Sequence, residues 1–261
     1  MCNHGVRNVT NEETGIDMLS SPLFARTLFI HAHPDDEAIQ AGGLTAALCK
    51  RGHKVAVVTC TRGEEGEAVP GILPDGATEK DLVVHREKEL VAARNIFGVD
   101  AGFWLGAGER IYRDSGMRWV SQGVAGPVEN VSPHAFSVAP FDEEIRDALT
   151  VIHAWKPTVI VGYDSAGSYG HPDHKRAHEL ALECARESGL PFVEIASEEE
   201  LPGFTYVDTS EYASLVYRAL RCYESQLTVV EAEEKPYWQI RHVGGQFQEA
   251  PLFPGLRRAL N

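Results

Sequence analysis

A chain of 261 residues and 28.7 kDa with 43% apolar residues can bury a sizeable core and fits one α/β domain. Its 24 Lys plus Arg against 38 Asp plus Glu leave a formal net charge of -14, which repels a nucleic-acid backbone and argues against nucleic acid as a partner. No stretch approaches the roughly 18 apolar residues of a membrane span, Met1 to Ser21 lacks the basic and apolar regions of a secretory signal, and five widely spaced cysteines (Cys2, Cys49, Cys60, Cys184, Cys222) predict reduced thiols in a cytoplasmic protein.

Residues 1–22, rich in Asn, Glu, Thr and Ser, read as a mobile leader, and residues 23–261 as a single domain with a less regular C-terminal part. An apolar run, Thr27 to Ile30, predicts the first strand, and a polar turn at His33 to Glu37 follows it. Glu37 to Arg51 carries Ile39, Leu44, Ala47 and Leu48 at the spacing of a core-facing helix, stopped by Gly52. Lys54 to Thr61 is a second strand whose continuous Val55-Ala56-Val57-Val58 run implies burial on both faces, as in a parallel sheet. Together these predict a Rossmann-like, doubly wound α/β fold with helices on both faces of a mostly parallel sheet.

After the second strand comes Thr61-Arg62-Gly63-Glu64-Glu65-Gly66-Glu67, then a loop to about Thr78 and a helix from Glu79 to Phe97 stopped by Gly98. On that helix Arg86 and Glu89 lie three apart, the spacing of a surface pair. Ala101 to Leu105 is a third strand. The excursion from Gly106 through Pro133 and Pro140 is long for a compact domain and reads as a lid. A helix over Phe141 to Trp155, a fourth strand over Thr158 to Asp164 and a helix over Pro172 to Ser188, opened by its proline, complete the regular part. Phe192 to Ile195 and Gly203 to Val207 are short strand candidates, Glu211 to Gln226 a further helix, and the rest an irregular tail.

Two clusters carry the chemistry. His33, Asp35, Asp36 and Glu37 follow the first strand, and Tyr169-Gly170-His171-Pro172-Asp173-His174 follows the fourth. Taken singly, such acids suit caps and first turns. Two strand ends bearing the same groups bring His33, Asp36 and His174 within reach of one divalent ion, and two histidines with one carboxylate leave positions open for water and substrate. Six other histidines, His53, His85, His134, His153, His178 and His242, lack a partner at ligand spacing and read as structural or surface groups.

With these motifs in view the chain resembles the zinc-dependent N-acetylglucosaminyl deacetylases of the PIG-L or LmbE-like family. His31 to Glu37, the run ending at His174 and Tyr223-Glu224-Ser225-Gln226 match its pattern, and the likeness covers about Thr27 to Ala185. Gly63 to Glu67 and Arg113-Asp114-Ser115-Gly116-Met117 point within the family to the mycothiol-pathway deacetylase of N-acetylglucosaminyl-inositol. The resemblance implies zinc, with ferrous iron as the alternative ion, held by His33, Asp36 and His174. It further implies Asp35 as general base, His171 and Tyr169 as oxyanion stabilisers, and Glu67, Arg86 and Asp114 as grips on the hydroxyls of a small amino-sugar substrate. A shorter segment after Ser188, with Gln40 and Arg62 beside the site, departs from that pattern and leaves another N-acetylglucosaminyl compound or a mycothiol conjugate as alternatives. Homo-oligomerisation is left open.

Amide hydrolysis near neutral pH needs an activated water, a stabilised oxyanion and a proton for the departing amine, and these residues offer a group for each. An iron oxygenase uses the same ligand set but more commonly on a β-barrel. A nucleotide-binding module would want Gly-x-Gly-x-x-Gly where this chain has acids.

Overall fold

The structure, a computed structural model, describes residues 17–106, 109–121, 123–230 and 237–260. Its centre is a seven-stranded sheet. Strands β1 (Arg26–His31), β2 (Lys54–Thr59) and β3 (Ala101–Trp104) alternate with the helices α1 (Asp36–Ile39), α2 (Gly42–Lys50) and α3 (Glu79–Phe97). A two-stranded antiparallel ribbon of β4 (Arg118–Ser121) and β5 (Val124–Gly126) interrupts the alternation before α4 (Phe141–Trp155), β6 (Val159–Tyr163), α5 (Pro172–Ser188) and β7 (Phe192–Ile195). Then come β8 (Thr205–Tyr206), α6 (Ala213–Leu220), β9 (Leu227–Val230), β10 (Tyr237–His242), β11 (Phe247–Pro251) and β12 (Gly255–Leu260). The large sheet runs β3-β2-β1-β6-β7-β12-β8, with the first five strands parallel and β12 antiparallel to both of its neighbours.

Alternate residues of β1 bury on opposite faces. Leu28 and Ile30 join Ala56 and Val58 against Val151 and Ile152 of α4 and Leu180 and Cys184 of α5. Phe29 joins Val55, Val57 and Val161 against Leu44 and Leu48 of α2. An outer layer packs Leu90 and Phe97 of α3 on Val216 and Leu220 of α6. Strands buried on both faces are the expected state of a parallel sheet covered by helices. Local signals set several ends: Thr78 and Asp81 form a capping box on α3, and Gly98 closes that helix at φ 86°.

Four sequence expectations change. The helix expected over Glu37 to Arg51 is two helices, α1 ending at Ile39 and α2 starting at Gly42, where two glycines let the start of α2 pass close to α6 and the segment before it. A Cβ on Gly43 would lie 2.1 Å from Thr209 Oγ1. The helix expected over Glu211 to Gln226 stops at Leu220, because Tyr223 and Ser225 turn inward to buried carboxylates. The tail expected to be irregular forms a β11-β10-β9 antiparallel sheet and sends β12 into the main sheet. Its strands mix polar and apolar residues without clean alternation, which hides them from periodicity. The leader reading of residues 1–16 lies outside the described residues, and at its C-terminal end Leu19 is fully buried among Phe24, Phe29, Leu44 and Leu48.

A Leu19→Ala substitution should therefore cost about 2–5 kcal/mol, as cavities in packed cores do. Urea unfolding measures it; a loss below about 0.5 kcal/mol, the usual range of surface changes, would return the segment to a dispensable leader.

Candidate metal centre and its cleft

The order β3-β2-β1-β6-β7 reverses direction between β1 and β6, and ligand sites of open α/β sheets lie outside the carboxyl ends of the strands at such a switch point. The two motifs sit there. His33, Asp35 and Asp36 fill the turn from β1 into α1, while Tyr169, His171 and His174 lie between β6 and the first turn of α5. His33 Nδ1 is 3.2 Å from His174 Nε2, Asp36 Oδ1 is 3.3 Å from His174 Nε2, and Asp36 Oδ2 is 3.5 Å from His33 Nδ1. Ligand atoms about 2.0–2.1 Å from a tetrahedral zinc ion stand roughly 3.3 Å apart, so this donor set fits such an ion.

Outer hydrogen bonds fix His33 and Asp36, and ring stacking holds His174. His33 Nε2 lies 3.2 Å from Asp173 Oδ2, which orients the ring so that Nδ1 faces the other ligands. Asp173, fully buried, also accepts from the backbone N–H and the hydroxyl of Ser115. Asp36 Oδ2 accepts from the His33 backbone N–H at 2.8 Å and from the Tyr163 hydroxyl at 2.7 Å, leaving Oδ1 toward His174. Tyr163 stacks on the His174 ring with centroids 4.5 Å apart. Ring nitrogens of His33, His171 and His174 also lie within 4.8 Å of one another, as do a ring nitrogen of His33 and carboxylate oxygens of Asp114 and Asp173. His171 suits a ligand role less well than Asp36, because its Nδ1 already accepts the backbone N–H of Asp173 at 3.1 Å as the cap of α5.

Electrostatics sort these groups by role. Burial opposes charge on Asp36, but His174 and His33 outweigh it and hold the carboxyl far below its ordinary range. Burial pushes Asp35 up to about 8, against the pull of Arg86. Burial lowers His171 to about 3, with His33 and His174 adding to the effect, so the ring is neutral and carries its proton on Nε2. Burial likewise raises Tyr169 well above its usual value and keeps its hydroxyl protonated.

Asp35 adopts φ 106°, a conformation rare outside glycine that concentrates at functional sites. Arg86 secures it. That guanidinium donates to the Pro34 carbonyl at 2.7 Å, the Gly63 carbonyl at 2.8 Å and Asp35 Oδ2 at 3.2 Å. Gly63 is required at that contact, since a Cβ there would lie 1.9 Å from Arg86 Nη1. Arg86 and Glu89 are thus buried and turned to different partners, not a surface pair. Glu89 accepts from the backbone N–H and hydroxyl of Ser225, and Tyr223 donates to Glu37, so the Tyr223 to Gln226 motif clips the C-terminal part onto the first motif.

A cleft of about 410 Å³ opens over the centre. Glu67, Arg86 and Asp114 all line it, but only Glu67 is solvent-exposed. Asp114 is buried 3.6 Å from His33 Nε2 and accepts the Gly116 N–H, while Glu64, which the sequence reading did not single out, accepts the Asp114 N–H at 2.9 Å. The segment expected to be a lid is at its base a fixed wall: Ser115 is tied to Asp173, and the Arg113 backbone donates to the His134 carbonyl and accepts from the Phe136 N–H. His242, read from sequence as structural or surface, ends β10 and lines the cleft beside Gln246 of the β10–β11 turn and Gln248 of β11. His178 is structural, with Nδ1 2.9 Å from the Tyr163 carbonyl. Asp173 and Tyr163 were the missed members; Asp173 stands beside His174 in its motif, whereas nothing local marks Tyr163.

Comparison with known proteins bears on the family and the fold. A family model described as PIG-L, GlcNAc-PI de-N-acetylase, matches residues 28–185. A 1D-myo-inositol 2-acetamido-2-deoxy-alpha-D-glucopyranoside deacetylase of Actinosynnema mirum is 37% identical over 239 residues, spanning 78% of this chain and 81% of that one. Among solved structures, a deacetylase of the teicoplanin biosynthesis pathway aligns with TM-score 0.54 and 25% identity over 76% of this chain and 84% of its own. The 4-carboxy-2-hydroxymuconate hydratase GalB of a Pseudomonas putida strain aligns with TM-score 0.57 and 18% identity over 90% and 97%, a likeness of fold alone.

Asp173→Asn should lower metal affinity about ten-fold to a hundred-fold, the usual effect of losing the outer partner of a ligating histidine. Competition with a chromogenic chelator reads it, and unchanged affinity would remove Asp173 from the centre.

Proposed function

Because the chain belongs to the PIG-L family of GlcNAc-PI de-N-acetylases, we propose that it is a metal-dependent N-deacetylase whose substrate is N-acetylglucosaminyl-inositol, the compound named for its Actinosynnema mirum relative. The observation that carries this reading is the convergence of His33, Asp36 and His174 at 3.2–3.5 Å, with Asp35 and His171 lining the same cleft. Two nitrogens and one oxygen at that spacing suit zinc, while ferrous iron accepts the same set. When bound, such an ion lowers the pKa of a coordinated water and polarises the carbonyl.

The protein's own groups supply the remainder. Asp35 takes the proton of the attacking water and returns it to the departing amine. Burial favours its protonated form, and the Arg86 contact favours the carboxylate needed for the first step. His171 donates from Nε2 and Tyr169 from its hydroxyl to the oxygen on which negative charge develops, a contribution of about 3 kcal/mol for one such donor. Neither needs to change charge to do so. Glu67 meets substrate hydroxyls directly at the exposed wall. Arg86 and Asp114 present their remaining donor and acceptor capacity to the cleft while holding its frame. The four described cysteines are free thiols, which fits a cytoplasmic setting.

Asp35→Asn should fold and keep its metal yet lose about 10²–10⁴ in kcat, because an amide cannot take up the proton. His174→Ala should instead lose the metal itself. Acetate release from N-acetylglucosaminyl-inositol, measured beside elemental analysis and with a chelator control, separates the two outcomes. Near wild-type turnover by Asp35→Asn, or full metal in His174→Ala, would overturn the assigned roles.

A further inference from the structure

The rim of the cleft holds an aromatic surface that the chemistry above does not use. Trp119, on β4, lines the cleft and remains 36% exposed. A large ring left partly in water forgoes burial that a folded chain normally collects, and a partly exposed tryptophan at the mouth of a cleft is a typical contact for a ligand. Its position relative to the reacting end is defined: the Trp119 ring centroid lies 5.7 Å from that of Tyr169, tilted by 34°. Tyr169 in turn stands edge-on to His171, centroids 6.0 Å apart. An aromatic path therefore leads outward from the oxyanion donors to Trp119.

The indole is also held. With the Gln246 amide oriented to satisfy both of its neighbours, its Oε1 accepts the Trp119 Nε1–H at 3.1 Å and its Nε2 donates to the Gly244 carbonyl at 3.2 Å. Gln246 lies in the turn between β10 and β11, and the ribbon carrying Trp119 shares no strand with that sheet. The bond spans 127 residues of sequence to join two hairpins at one rim, and it tethers the indole by its N–H while the side chain still lines the cleft and remains partly exposed.

Resting on the function proposed above, we infer that Trp119 is the platform for the second ring of the substrate, the one distal to the acetamide, and that Gln246 is the positioning residue that holds it. A saturated polyhydroxylated ring presents C–H bonds on its faces and hydroxyls around its edge. Its face packs on the indole by apolar burial, and its edge is left to polar groups of the same cleft such as Glu67 and Gln226. The acetamide-bearing ring sits inward at Asp35 and His171, so Trp119 discriminates two-ring from one-ring compounds without touching the reacting bond.

Equilibrium binding of the deacetylated products to the metal-loaded protein tests this without turnover, with glucosaminyl-inositol as the two-ring probe and glucosamine as the one-ring probe. Trp119→Ala should weaken glucosaminyl-inositol about ten-fold, in keeping with an aromatic contact, and glucosamine less than about two-fold. Trp119→Phe should recover most of the loss, and Gln246→Ala should fall between. In turnover of N-acetylglucosaminyl-inositol the Trp119→Ala loss should appear in KM with kcat held. Equal weakening of both probes, no weakening of either, or a wild-type protein that binds glucosaminyl-inositol no tighter than glucosamine overturns the platform. Failure of the wild-type protein to release acetate from any N-acetylglucosaminyl compound overturns the proposed function instead, and the binding series still decides the role of Trp119.

Discussion

A single buried carboxylate joins the two halves of the sheet at their switch point. Asp36 leaves the end of β1, takes a hydrogen bond from Tyr163 at the end of β6, and faces His174 on the first turn of α5. A charge so deeply buried is costly unless paired and hydrogen-bonded. The backbone of His33, the Tyr163 hydroxyl and two imidazoles provide that company, and in doing so hold the turns after β1 and β6 in register. The rest of the centre is arranged about this constraint: Asp173 aligns His33 from outside, Ser115 holds Asp173, and Glu64 holds the loop on which Ser115 lies.

Around that inner ring, buried charges hold loops to one another. Arg86 ties the loop after β1 to the loop after β2 through two backbone carbonyls, and Glu89, one turn later on the same helix, fastens the segment after α6. The site is thus framed from α3, an element that supplies none of the three candidate ligands. Substituting such a residue removes a support as well as a contact, so losses of activity at Arg86 or Asp114 carry a structural share that a loss at Glu67 does not.

The inner ring was legible from sequence because its groups are local: a histidine-acid cluster directly after an apolar run reads as a strand end, and two such clusters meet in any doubly wound sheet. The helices Phe141 to Trp155 and Pro172 to Ser188 and the strand Phe192 to Ile195 stand at their expected bounds for the same reason, their signals being local, such as the proline that opens the second helix. What was hidden is non-local. Tyr163 reads as one more residue of an ordinary strand, and its hydroxyl finds Asp36 127 residues away. The helix end at Leu220 depends on buried partners of Tyr223 and Ser225 that no propensity encodes, and β9 to β12 owe their existence to pairing rather than to pattern. His242 could not be placed on the cleft until that pairing was known.

The β10–β11 turn, which arrives last along the chain at the rim of a centre assembled from residues 33–174, separates two tasks on two stretches of sequence. The candidate ligands come from the early stretch, and the late one adds only part of the cleft's outer wall, His242 to Gln248, so a change in that turn leaves the metal centre itself untouched. Loops that are variable yet anchored on a rigid scaffold are where one catalytic framework acquires new ligands. Grafting this turn and its Gln246 is the least invasive route to redirecting the protein toward a differently substituted amino sugar.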